Sequence, residues 1–187
     1  TRWQGEIAAL LVDEFQDMSA GRANLLTALR KLSEDSRLFC VGDDWQSIFR
    51  FTGSDIGIMT NFHEVFGFTK RIDLDRTFRF NDKIEALSSR FILKNPTQLK
   101  KQLTPNTKIQ EPAVFIQLCN PGSEDECLEM IMAELDQEVK SKKSLFVLGR
   151  YNRKLPSEDK QLHFKKQFSK IEVTCLTAHK SKGLEAD

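Results

Sequence analysis

Short apolar runs rich in β-branched and aromatic residues alternate along this chain with stretches whose apolar positions recur at helical spacing. Residues 7–12, 38–41, 113–118, 145–148 and 171–176 form such runs, and each predicts a strand. Between them, Leu25, Leu26, Leu29 and Leu32 fall on one helical face, as do Ile84, Leu87 and Phe91. Leu128, Ile131, Met132, Leu135 and Val139 repeat the pattern. Strands that read as continuous apolar runs and alternate with amphipathic helices predict parallel sheets covered by helices on both faces. The expected fold class is α/β.

Turn-forming and polar residues refine this outline. A domain boundary is expected near 68–75, in FTKRIDLD, where the first strand set ends. KNPTQLKKQLTPNTKIQEP, with three prolines, predicts a loop leading into the strand at 113–118. YNRKLPSEDKQLHFKKQF predicts a solvated loop and a short helix, its lysines offering a basic patch as the other reading. The chain opens on Thr1 and closes on Asp187 just after HKSKGLEAD, which suggests a segment of a longer protein.

Composition narrows the function classes. The 187 residues carry 28 basic and 27 acidic side chains, so the net charge of +1 gives no whole-molecule attraction to nucleic acid or membrane. Any nucleic-acid contact must be local. No apolar run approaches a membrane span and no signal segment opens the chain. Cys40, Cys119, Cys127 and Cys175 form no Cys-x-x-Cys pair, and His63, His163 and His179 are widely spaced. A zinc site is not expected, and a reduced, cytoplasmic setting is.

Four polar clusters lie beside predicted strand or helix ends. In LLVDEFQD, Asp13 and Glu14 follow a strand, where α/β sheets bind ligands. One acid can hold magnesium through water while its neighbour deprotonates an attacking water. The pair can equally be the polar end of a buried strand, with Ser19 capping the next helix. In VGDDWQSIFRFTGSD, Gly42 allows a tight turn, and the Gln46 amide can meet a phosphate or its attacking water. Phe49 and Phe51 flank Arg50, a pattern suited to stacking on unpaired bases, although both rings can also be core. In LDRTFRF, Phe78 can stack on a base and Arg79 can stabilise charge on a transferred phosphoryl group, or Arg79 is a surface residue at a helix start. In TCLTAHKSKGLEAD, His179, Lys180, Lys182 and Gly183 make a polar loop suited to backbone phosphates, and Glu185 can accept from a ribose hydroxyl.

Taken in order, DEFQD, GDDWQSIFRF, TFRF and TAHKSKGLEAD resemble the second to fifth motifs of the UvrD/Rep-type superfamily-one DNA helicases. Trp45 in GDDWQ resembles the helicase-IV-like branch of that family. The resemblance implies two RecA-like domains, residues 1–69 supplying the end of the first and 70–187 most of the second, with ATP between them. It implies that Asp13 and Glu14 serve magnesium and the hydrolytic water, and that Gln46 senses the terminal phosphate. Arg79 would contact that phosphate, Phe78 the adenine, and Gly183 and Glu185 the nucleotide. Phe49, Arg50, Phe51, His179 and Lys180 would touch single-stranded DNA, with duplex junctions as substrates, movement from 3′ to 5′ and a monomeric protein.

Phe78 stands where many relatives have Tyr, Phe51 where Trp is common, and Thr52 where Arg is common. The interval between Arg79 and His179 is too short for the large second-domain insertion of Rep-type members. No G-x-x-x-x-G-K-[ST] loop occurs in the chain, so these residues alone are expected neither to hydrolyse ATP at a useful rate nor to unwind DNA. Two alternatives are a related ATPase that remodels RNA polymerase or acts in phage defence, and a non-catalytic scaffold.

Overall fold

The computed structural model describes residues 3–187; the first two residues of the expected first domain lie outside the described residues. The chain divides into two compact units, one running to Val114 and one from Phe115 to Asp187. It is mixed α/β, and its strands pair in three parallel ladders.

In the first unit β1 (Ala9–Val12) pairs in parallel with β2 (Arg37–Cys40), Leu11 opposite Phe39 and Val12 opposite Cys40. The connection between them is α1 (Ala20–Arg30), which starts where Ser19 Oγ accepts the Arg22 backbone N–H. Two short helices follow, α2 (Gly57–Thr60) and α3 (Phe62–Phe66). Phe15, Met18, Ala23, Ile58 and Phe66 form the core here, with Val12, Leu26, Leu38, Cys40 and Phe62 against it. Phe15, Phe62 and Phe66 meet as tilted or edge-on rings 4.8–5.9 Å apart. Burying a ring such as Phe15 contributes about 1.5–3 kcal/mol, which fixes the backbone just past Asp13 and Glu14. Cys40 behaves as the small hydrophobe expected, its thiol pushed up to about 11 by burial, against a small lowering from Arg30.

The same unit continues through 68–75, where a boundary was expected and no regular structure forms, into β3 (Arg76–Asn81) and α4 (Asp82–Ile92). Asn81 caps α4, its Oδ1 accepting the Lys83 and Ile84 backbone N–H groups. β3 pairs in parallel with β4 (Thr104–Thr107), and the register breaks between Thr77 and Asn81. β4 lies inside the stretch expected to be a loop. Thr-Pro-Asn-Thr carries no apolar run, and Pro105 is tolerated because β4 is an edge strand.

In the second unit α5 (Glu124–Glu138) and α6 (Glu158–Gln167) accompany β5 (Lys143–Gly149) and β6 (Ile171–Thr177), which pair in parallel without interruption. Met132, Phe164, Phe168, Ile171 and Val173 are its core, with Leu128, Leu135 and Val139 packed against it as the helical spacing predicts. YNRKLPSEDKQLHFKKQF becomes a short 3-10 turn (Asn152–Lys154) and then α6, which buries Phe164.

Three expectations need correction. Residues 113–118 form no strand: no neighbouring strand supplies ladder partners, and Phe115, Ile116 and Leu118 are 80–87% exposed. Among the described residues, helices do not cover both faces of the β1–β2 ladder. β1 and β2 alternate, with Leu11 and Phe39 outward at 77% and 61% exposure. The faces read on two helices also rotate. Leu25 is exposed and Ala23 buried on α1, while Leu87 and Phe91 of α4 point outward. On α4 the inner line runs through Ile84, Ser88 and Ile92, and Ser88 and Ile92 on that side line a cavity of mixed polar and apolar walls.

Candidate active site

Asp13 and Glu14 emerge, exposed, from the carboxyl end of β1. Asp13 Oδ1 accepts the Glu14 backbone N–H at 2.8 Å. Glu14 has φ +49 and ψ 42, and it is the only non-glycine residue with positive φ among the described residues. An L-residue held in the left-handed region costs free energy unless its surroundings fix it. Phe15, buried immediately after it, and Gln16 do the fixing. Gln16 is 1% exposed, donates from Nε2 to Glu14 Oε2 at 2.5 Å and accepts the Asp43 backbone N–H on Oε1 at 2.9 Å. One buried amide thus joins the first acidic cluster to the second. A Gln close to two acids is a signal available in LLVDEFQD, although nothing local in the sequence shows its burial or names its partner.

Gly42 serves close approach rather than a tight turn. A Cβ there would lie 2.7 Å from Gln16 Oε1 and 3.0 Å from the Phe15 nitrogen. Gly42→Ala is therefore expected to push Gln16 off its two partners and destabilise the protein by about 1–3 kcal/mol. Urea unfolding checks this, and an unchanged midpoint would show that the neighbours yield freely.

The second cluster begins a short 3-10 turn, Asp44–Gln46, at the end of β2. Asp43 Oδ1 accepts the Trp45 backbone N–H at 3.1 Å, and Asp43 Oδ2 accepts from Gln46 Nε2 at 2.8 Å. Lys101 pairs with Asp43 and, at 2.8 Å, with Asp44 Oδ1. Burial alone would raise the Asp43 carboxyl, but hydrogen bonds from Lys101 and Gln46 outweigh it and hold the group below its ordinary value. Asp44, 1% exposed, also accepts the Leu99 backbone N–H at 2.8 Å, and Trp45 Nε1 donates to the Leu99 carbonyl at 3.0 Å. These contacts tie the strand end of β2 to the chain after α4.

Gln46 and Arg79, far apart in sequence, line one cavity of about 380 Å3 together with Asp43, Thr77, Glu85 and Ser88. Arg79 lies in the part of β3 where the ladder is interrupted, a device that re-aims side chains at functional edges. Phe78, its neighbour, is 73% exposed and does not line the cavity. Phe51 is 71% exposed and Phe49 half-buried, their rings tilted at 6.1 Å, so neither is core, and Arg50 beside them is exposed.

In the second unit the polar loop begins at the end of β6. Lys180 and Ser181 donate backbone N–H groups to the Thr177 carbonyl at 2.9 and 3.0 Å, folding the chain back at His179. Gly183 has φ +80, so the turn there requires glycine, and Glu185 is exposed just beyond it.

Asp13 and Glu14 offer hard carboxylate oxygens at an accessible strand end. Magnesium is commonly held by one or two carboxylates, with water and substrate phosphates completing its shell. The pair fits that chemistry. Among the described residues no three His, Cys, Asp or Glu side chains converge as a fuller metal cage. No helix among them is long and apolar enough to cross a membrane.

Comparison with known proteins relates this sequence to a group of helicases. Residues 1–67 match the UvrD/REP helicase N-terminal domain. The chain is 40% identical to DNA helicase IV of Escherichia coli over 95% of its own length and 25% of that protein. It is 28% identical to the putative ATP-dependent DNA helicase YjcD of Bacillus subtilis over 75% of its length and 18% of that protein. It is 32% identical to the ATP-dependent DNA helicase Rep of Escherichia coli over 54% of its length and 15% of that protein. The chain thus spans a quarter or less of the length of these relatives. By these matches the chain is similar to DNA helicases of the UvrD/Rep type, and its residues 1–67 match their N-terminal domain.

Proposed function

We propose that the protein containing this chain is an ATP-dependent DNA helicase, coupling ATP hydrolysis to 3′-to-5′ movement on single-stranded DNA and to duplex unwinding. The observation that carries the reading is the shared cavity of Gln46 and Arg79, beside the acidic clusters linked through Gln16. A scaffold has no physical need to hold these groups together.

In this reading Asp13 holds magnesium, which when bound polarises the phosphates of ATP, and Glu14 accepts the proton of the attacking water. Gln46 orients against the terminal phosphate, and Arg79 meets the charge that develops there. Phe78, exposed beside Arg79, stacks on the adenine, and Gly183 and Glu185 also serve the nucleotide. Residues up to about 69 belong to a first RecA-like domain and later residues to a second. Phe49, Arg50 and Phe51, with His179 and Lys180, hold single-stranded DNA. Exposed rings suit this task, because every base presents a face on which to stack. The protein acts as a cytoplasmic monomer at duplex junctions.

The intact protein is expected to show ATPase activity stimulated by single-stranded DNA and to unwind duplexes with a 3′ tail. Phe51→Ala should weaken single-strand binding about fivefold to a hundredfold, from a stacking contribution of about 1–3 kcal/mol per base. Fluorescence anisotropy with an oligothymidine checks it. ATP turnover indifferent to DNA would overturn the function, and unwinding only from 5′ tails would overturn the polarity.

A further inference from the structure

We propose that Lys101 is a positioning residue for ATP turnover, acting through Asp43 to hold the Gln46 amide. This rests on the reading of Gln46 as the residue that meets the terminal phosphate.

Lys101 lies in a stretch whose composition reads as a plain loop, yet its side chain is only 20% exposed. Its ammonium group meets three features of GDDWQ at once. It pairs with Asp43, pairs with Asp44 at 2.8 Å, and sits 4.8 Å from the centre of the Trp45 ring. Asp44 is enclosed by this cation and the Leu99 backbone N–H, so the loop cannot drift without leaving a buried carboxylate unpaired. Asp43 is different. Lys101 and the Trp45 N–H engage one of its oxygens, which leaves the other to accept from Gln46 Nε2 at 2.8 Å.

An amide is planar, so anchoring Nε2 restricts where Oε1 can lie. Without the cation, the Asp43 carboxylate gains rotational freedom, and Gln46 gains it too. A phosphate-sensing amide needs a fixed direction, and small misplacement of a positioning group is costly to rate. Lys101 itself does not line the cavity that Gln46 and Arg79 share. Its effect on turnover therefore passes through Asp43, and its loss should lower kcat while leaving the KM for ATP nearly unchanged.

The test uses the intact protein and steady-state ATP turnover with saturating single-stranded DNA. Lys101→Met alone would strand Asp44, so it is combined with Asp44→Asn, which removes the buried pair as a unit. Asp43→Ala provides a second route, cutting the link while keeping Lys101 paired with Asp44. Each is expected to lower kcat about tenfold to a hundredfold, with the KM for ATP within about twofold. Lys101→Arg, which keeps the charge, should recover most of the rate. The deciding measurement repeats both changes in a Gln46→Ala background, where they should cost nothing further. Losses of the same size in that background would overturn the proposal, as would full activity of the variants while Gln46→Ala is impaired. Full activity of Gln46→Ala itself would remove the reading of Gln46, and the Lys101 proposal with it.

Discussion

Glu14→Gln is expected to abolish ATP turnover in the intact protein, by at least about a hundredfold in kcat, while leaving ATP binding largely intact. The replacement is nearly isosteric and still offers an oxygen to Gln16 Nε2, which donates to Glu14 at 2.5 Å. The left-handed backbone at Glu14 is held by Phe15 and Gln16, so the local geometry should persist. What is lost is the capacity to take a proton from water. Nucleotide binding by fluorescence and phosphate release under single-turnover conditions separate the two effects. If turnover survived within a few-fold, Glu14 would not be the base.

Arg79→Ala is expected to lower kcat about a thousandfold, the scale on which an arginine stabilises charge in phosphoryl transfer. Arg79→Lys should recover little of it, because an ammonium lacks the planar fork that matches two phosphate oxygens. Single-strand affinity should remain near its original value in both variants, since Arg79 lines the cavity with Gln46 rather than the Phe49–Phe51 surface. Full rescue by Lys would reduce Arg79 to a simple counter-charge. Loss of DNA binding in parallel with turnover would move it to the nucleic-acid face.

How much of this could be read from residues alone varied with the reach of the interaction. β1, β2, β5 and β6 were legible because their apolar runs are local patterns. β4 was not, since Thr-Pro-Asn-Thr is a strand only by pairing with β3. The run at 113–118 failed in the opposite direction: its residues favour a strand, and no neighbour completes one. On α4 the apolar spacing pointed to Leu87 and Phe91, but both are exposed and the Ser88 side turns inward, toward a cavity whose other walls come from distant segments.

The candidate site divides along the same line. By itself the sequence marked the candidate residues and their place beside strand or helix ends, because motif spacing and apolar runs are properties of contiguous chain. It also located Asp13, Glu14, Gln46 and Arg79 as the groups to watch. Only the tertiary structure decided that Gln16 bridges the two acidic clusters, that Gly42 is required by a neighbour 2.7 Å away, and that Lys101 closes over Asp43, Asp44 and Trp45. The physical reason is range: hydrogen bonds and ion pairs between distant segments form only once the core has brought those segments together, and no local pattern records the partner.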